Sequence, residues 1–287
     1  MSDAHPVAFV LSGGASLGAI QVGMLEALYE RGIVPDLILG SSVGAVNGAF
    51  IASRAPSVAT VQALGDVWRR LRRSMIFPLN PVTGLLGFLG QRDSLLLDRG
   101  LRRTLRRHVQ FERLQDAPVP LHVTATDVLT GEAVRLASGD TVRAVAASAA
   151  ISGVLPAAPW DGRELVDGGV ADNTPLSHAV ELGAATIYVL PTGTTCALTE
   201  APHGALAMMV QAITVLIRRR MLDEIESYTG DARLVVLPPP CPQPVEPLDF
   251  TRADDLIVWA RDAARDYLDA PPGDALGPDH PLRPHRH

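Results

Sequence analysis

Lysine is missing from this chain of 287 residues; all 25 basic residues are arginine. A Walker-type phosphate loop cannot be built without its lysine. We read the arginine bias as genome composition rather than as a site. Cysteine is nearly missing: Cys196 and Cys241 are too few for a disulfide framework. No Cys/His spacing resembles a zinc site, so no metal or other cofactor is expected. Aromatic residues are only 5% of the chain, which leaves Ala, Val, Leu and Ile to build the core. Long apolar runs are missing too. The first, Val7 to Leu11, and the longest, near Leu206 to Ile217, are too short for a signal peptide core or a membrane span. A cytoplasmic protein is expected, with contact at a membrane surface still allowed. There is no excess of positive charge either. The formal net charge of -6 argues against nucleic acid as the main partner.

What is present is ample apolar material, 47% of residues against 20% charged, which excludes intrinsic disorder. Short apolar runs alternate with segments of helical spacing. Pro6 to Leu11 reads as a buried strand, and Gly18 to Glu30 as a helix with Ile20, Met24, Leu25 and Leu28 on one face. Asp36 to Leu39 is a second strand, and Val43 to Ser53 a helix of small residues. That order predicts an α/β fold with a parallel sheet. Ser57 and Asp98 are placed to cap helices, the second running to His108. Ser74 to Asp93 is interrupted by Pro and Gly and carries exposed-looking apolar residues. Strands follow at Leu121 to Thr126, Ala133 to Leu136, Arg163 to Val166 and Thr186 to Leu190. Later elements are an amphipathic helix from Ala205 to about Tyr228, a strand at Arg233 to Leu237 and a helix from Thr251 to Leu268. One catalytic domain over residues 1–270 is expected, with a disordered Pro/Gly/His-rich tail over 271–287.

Three short motifs can carry chemistry. Gly40-Ser41-Ser42-Val43-Gly44 matches G-x-S-x-G between a strand and a helix, the setting of a nucleophile elbow. The glycines permit the tight turn, and the helix N-terminus favours developing negative charge at Ser42. Gly13-Gly14-Ala15-Ser16-Leu17-Gly18 also lies between strand and helix. It departs from the dinucleotide fingerprint at Ala15 and reads better as a cradle of backbone amides for an anion. Asp167-Gly168-Gly169 places a carboxylate after a strand, at the sheet edge where α/β sites form.

A serine nucleophile needs a base. None of the eight histidines lies in a late glycine-flanked loop, where a Ser-His-Asp hydrolase would hold it. His178 is the best placed of them. A Ser-Asp dyad removes the difficulty if the site is dry enough to raise the basicity of the carboxylate.

Taken in this order, the three motifs resemble the patatin-like phospholipase family, especially its small bacterial members. The resemblance runs from about Val7 to Leu190 and includes Ala147-Ser148-Ala149-Ala150-Ile151-Ser152-Gly153-Val154-Leu155-Pro156 and the stretch from Asp161 to Pro175. It implies a three-layer α/β/α fold and hydrolysis of lipid acyl esters, with Ser42 as nucleophile and Asp167 as general base. Amides around Gly13, Gly14 and Ala15 would form the oxyanion hole. The family turn commonly reads G-G-G-x-R-G; here Ala15 replaces the third glycine and Leu17 the arginine. Ala15 still supplies an amide provided that its φ is negative. The missing arginine leaves a second reading, a catalytically weak protein that binds lipid or acyl chains. An ordinary Ser-His-Asp hydrolase is a third.

Two segments are candidates for lipid contact. Met75 to Leu97 is one, beside Arg69, Arg70, Arg72 and Arg73; packing on the core is its other reading. The Leu206 to Ile217 stripe, followed by Arg218-Arg219-Arg220, reads as a core or dimer helix or as a membrane-surface helix.

Overall fold

Apolar residues alternate along the strands, and this alternation divides the core between the two faces of one sheet. In β1 (Val7–Leu11), Phe9 and Leu11 join one hydrophobic cluster, while Ala8 and Val10 join another. A buried parallel strand covered on both faces requires this. The computed structural model describes residues 6–78, 81–193, 203, 205–270, 275–277 and 280–283.

β1 lies between β2 (Leu37–Ser41) and β7 (Thr186–Leu190), and both pair with it in parallel. β3 (Leu121–Asp127) lies outside β2, and β8 (Arg233–Val236) outside β7, again parallel. The antiparallel strands β4 (Ala133–Leu136), β5 (Ala158–Trp160) and β6 (Arg163–Asp167) complete the sheet, in the order β5-β6-β3-β2-β1-β7-β8 with β4 on β3.

β3 organises the region that matters. Its first part pairs with β2 up to Ser41 opposite Thr124. Its last part pairs with β6, with Asp167 opposite Ala125. β4 runs along residues 123–126 of β3 and therefore takes the other edge. β2 and β6 thus meet end to end on a single edge of β3, each presenting its C-terminal residue.

Six helices cover one face: α1 (Gly18–Glu30), α2 (Val43–Ala52), α3 (Val58–Arg70), α6 (Arg99–His108), α7 (Thr141–Ser148) and α10 (Ala253–Asp269). The other face is covered by α8 (Leu176–Glu181) and α9 (Ala205–Glu226). The fold is therefore three-layered, with a mostly parallel central sheet. Local sequence explains several helix starts. The Ser57 hydroxyl accepts the Thr60 amide, and the Asp140 carboxylate the Arg143 amide. Asp98 behaves differently: it precedes α6 but pairs with Arg102 one turn on and makes no cap hydrogen bond.

Within 74–93, despite the Pro and Gly interruptions, the chain folds into the end of α4 (Arg73–Ile76) and α5 (Pro81–Phe88). Disorder of the tail does not hold for its described residues. Leu276, His280 and Leu282 are buried, His280 Nε2 lies 3.2 Å from the Val236 carbonyl, and Arg218 donates twice to the Leu282 carbonyl. In α9, Met221, Leu222 and Ile225 are core residues, whereas Ile213 and Leu216 are exposed; the side chains of Leu206, Met209 and Val210 lie outside the described ones. Cys241 is disulfide-bonded.

Candidate active site

Ser42 sits in the turn between β2 and α2 with φ 52° and ψ -121°, a strained conformation for a residue with a side chain. The turn closes because its flanking residues have no Cβ. A Cβ on Gly40 would lie 2.6 Å from the backbone of Gly44, and one on Gly44 only 2.1 Å from the Leu11 carbonyl. The Ser42 amide donates to Ser148 Oγ at 2.8 Å, and the Ser42 carbonyl accepts the amides of Ala45 and Val46 in α2. The hydroxyl is left free to point elsewhere, and it donates to Asp167 Oδ2 at 2.7 Å.

Asp167 ends β6. Its second oxygen, Oδ1, accepts the Gly169 amide at 2.8 Å. Thr126 Oγ1 holds the adjoining backbone, donating to the Asp167 carbonyl and accepting the Ala171 amide. Burial pushes the Asp167 carboxyl up to about 6, outweighing the hydrogen bonds from Ser42 and Gly169 that favour the charged form. Gly168 starts the turn that follows, against Thr124 and Ser41.

The glycine-rich turn lies against the same loop. The Gly13 amide donates to the Asn173 carbonyl at 3.2 Å, so it is not free to bind an anion. The Gly13 carbonyl accepts Thr192 Oγ1 at 2.7 Å and Asn173 Nδ2 at 3.4 Å. Ala15 has a positive φ of 51°, contrary to the negative value expected of an alanine. Among the described residues, no acceptor takes the Gly14 or Ala15 amide. Of the three amides expected to form the cradle, that of Gly13 is thus engaged, and that of Ala15, without a partner among the described residues, stands at a positive φ, not the negative one the expectation required. Leu17 is buried in the core, where the family turn commonly carries its arginine. Gly18 begins α1, and its carbonyl accepts Asn47 Nδ2. Asn47 also donates to Gln21 Oε1 and accepts Trp68 Nε1, while Gln21 Nε2 donates to the Ser12 and Leu190 carbonyls. A buried side-chain network therefore ties the glycine turn, α2 and α3 together.

Ser42 and Ala15 also border an apolar cavity, walled by Val46 and Phe50 of α2, Trp68, Phe77, Leu105 and Leu155. Two polar groups on its wall are engaged elsewhere, Asn47 in the network and Thr104 Oγ1 on the Gly100 carbonyl, while the third, the His108 ring, packs against Phe50. Such a cavity accommodates hydrocarbon and excludes water.

His178 is not the partner of Ser42. Its ring lies 3.7 Å from Asp172 and 3.3 Å from Glu181 on α8. Among the described residues, no cluster of His, Cys, Asp or Glu is arranged to hold a metal ion. Nor, among them, is any helix long and apolar enough to cross a membrane.

Residues 9–180 match the family model described as patatin-like phospholipase. The chain belongs to the patatin-like phospholipase family. It is 33% identical over 192 residues to "Patatin-like phospholipase domain-containing protein 6" of Mus musculus, an alignment covering 66% of this chain and 14% of that protein. It is 31% identical over 199 residues to "Patatin-like phospholipase domain-containing protein 7" of Rattus norvegicus, covering 66% and 14%. It is also 29% identical over 194 residues to "Lysophospholipase nte1" of Aspergillus niger, covering 65% and 12%. The chain thus matches about one-seventh of the length of these relatives. Among solved structures, VipD from Legionella pneumophila superposes with a TM-score of 0.51 at 16% identity, over 92% of this chain and 67% of that one, which shows a shared fold.

Several residues of this patatin-like site escaped the motifs. Ser148 lies within the stretch that resembles the family, but nothing in its sequence signals that it holds the Ser42 amide. Asn173 lies within the other stretch that resembles the family, six residues beyond the end of β6. Thr126 and Thr192 reach the site because β3 and β7 end beside it, and their signal is positional: polar residues near the C-terminal ends of sheet strands.

Proposed function

We propose that this patatin-like chain is a serine hydrolase of lipid acyl esters, with Ser42 and Asp167 as a catalytic dyad. The observation that carries the reading is the 2.7 Å hydrogen bond from Ser42 Oγ, on the wall of an apolar cavity, to the buried Asp167. Ser42 Oγ attacks the ester carbonyl, and its proton passes to Asp167 Oδ2. The oxyanion faces the amides of Gly14 and Ala15; loss of one such donor typically costs about 2.7–4 kcal/mol in the transition state. Collapse expels the alcohol, which takes the proton from Asp167. The acyl chain stays on Ser42 and in the cavity. Asp167 then removes a proton from water, the resulting nucleophile attacks the acyl-enzyme, and the fatty acid leaves as Ser42 regains its proton. A carboxyl raised to about 6 suits this better than an ordinary aspartate, being the stronger base yet still ionised at pH 7. No cofactor enters the scheme. A lipid substrate also brings the protein to a lipid surface as a peripheral visitor.

The test is labelling by a fluorophosphonate probe. The folded wild-type chain is expected to label, and Ser42→Ala and Asp167→Asn to lose the label. Labelling that survives Ser42→Ala would move the nucleophile elsewhere. A folded wild-type chain that never labels would favour the lipid-binding reading, to which the buried Leu17 already lends support.

A further inference from the structure

We infer that the segment from α4 to α6 is a docking surface for an anionic lipid bilayer, with α5 as the part that enters it. The inference deepens the lipid-ester reading by naming the surface on which the same site works. Three observations carry it.

The first is the state of α5. Its sequence, PVTGLLGF, has no charged residue. Of the described side chains from 82 to 93, none is buried; Phe88 is 84% exposed and Leu85 59%. Packing on the core, the other reading of this segment, therefore does not describe α5. An apolar patch left in water at this scale marks an interaction surface.

The second is charge. Residues 69–113 hold eleven arginines against Asp93, Asp98 and Glu112, a net of +8, so the remaining residues carry -14 within a chain total of -6. Arg69 and Arg102 have carboxylate partners. Arg73, Arg92, Arg99, Arg103, Arg106 and Arg107 have none among the described residues, and all except the partner-bound Arg102 are exposed on this segment. The mild acidity of the whole chain conceals a strongly basic segment around the apolar helix. Apolar side chains interleaved with arginine suit a surface that offers acyl chains beneath phosphate groups. A two-fold contact with a second copy would set +8 against +8 and is disfavoured.

The third is continuity with the cavity. Gly100 of α6 packs so closely on α4 that a Cβ there would lie 2.1 Å from the Met75 carbonyl. Beyond α5, the Leu95 and Leu96 amides are held by the carbonyls of Gly153 and Val154. Ile76, Leu101 and Leu155, beside these anchor points, all line the cavity. The exposed helix is therefore tethered at both ends to the walls of the space that borders Ser42.

The test uses the Ser42→Ala chain, which cannot consume the vesicles, in co-sedimentation with phosphatidylcholine vesicles with and without phosphatidylglycerol. Binding is expected only to the anionic vesicles and to weaken as salt rises. The pair Leu85→Asp/Phe88→Asp, and separately Arg103→Glu/Arg107→Glu, should each reduce that binding by about tenfold or more, with circular dichroism unchanged. Made in the wild-type chain, the same surface changes should leave hydrolysis of a soluble short-chain ester intact. Equal binding to neutral vesicles, or anionic binding indifferent to both pairs, overturns the proposal. So does a dimer that dissociates in Leu85→Asp/Phe88→Asp without any vesicle binding. A chain that docks as described but hydrolyses no soluble ester would retain the docking surface and lose the hydrolase reading.

Discussion

Ser42 Oγ and Asp167 Oδ2 are 125 residues apart in sequence and 2.7 Å apart in space. The cause is the pairing of β3, which holds Ser41 opposite Thr124 and Asp167 opposite the next residue, Ala125.

If Asp167 is the base, the acid limb of the rate profile should report it. The carboxyl, raised to about 6 by burial, must be ionised to accept the serine proton. Hydrolysis of a soluble ester should therefore rise to a plateau with a midpoint near pH 6, with about a tenth of the plateau remaining at pH 5. A midpoint near 4 would mean that burial does not raise the carboxyl of the working base. The measurement is kcat/KM against pH.

The same burial makes Asp167 a burden on the fold. A group with a folded pKa of about 6 and an ordinary, unfolded value of about 3.9 stabilises the protein most below pH 4 and loses that contribution as pH rises through 6. The difference is worth about 3 kcal/mol above pH 6. Asn can replace both hydrogen bonds, accepting the Gly169 amide and donating to Ser42, without the charge. Asp167→Asn is thus expected to be inactive yet to melt about 5 °C higher than wild type at pH 8, with the gap closing toward pH 4. Thermal melts at the two pH values check this; a gap that stays constant with pH would oppose it.

Ala15 adopts a φ of 51°, where an L side chain is strained by about 1–2 kcal/mol. Glycine relieves that strain but adds freedom to the unfolded chain, leaving a net gain of about 0.5–1 kcal/mol. Ala15→Gly should therefore raise the melting temperature slightly and retain hydrolysis, since the backbone amide is unchanged. A marked loss of activity would show that the alanine methyl has a part of its own at the cavity wall.

Val46 is one turn along α2 from Ser42 and borders the apolar cavity. Val46→Trp should shorten the space available to an acyl chain. The expected outcome is a drop of about tenfold or more in kcat/KM for a long-chain ester, with a short-chain ester little affected. Equal losses on both esters would place the acyl chain outside this cavity.

Much of the fold and of the candidate site is legible in the sequence. Short apolar runs separated by helical spacing predicted β1, α1, β2 and α2 at nearly their observed bounds, because a buried parallel strand and a packed helix leave different periodicities. Ser42 and Asp167 stood out through the glycines around them. What stayed hidden depends on contacts distant in sequence. The Gly13 amide is taken by Asn173, 160 residues away, and no local pattern reports that. Asp98 looked like a helix cap, but Arg102 one turn on competes for its carboxylate. Pro81 read as an interruption, whereas proline suits the first turn of a helix and begins α5. In the tail, Pro and His suggested disorder, yet Leu276, His280 and Leu282 find a surface in α9 and β8 to bury against.

The end-to-end meeting of β2 and β6 has a consequence for how such a protein can change. The separation of serine and carboxylate is measured out by one strand acting as a ruler, not by the helices that wall the cavity. Loops and helices between residues 43 and 162 that hold neither Ser42 nor Asp167, such as α3 to α6, can therefore be lengthened, swapped or reshaped while the chemical spacing stays the same. On the proposed reading, the pocket and the serine–carboxylate pair can thus be revised independently of each other.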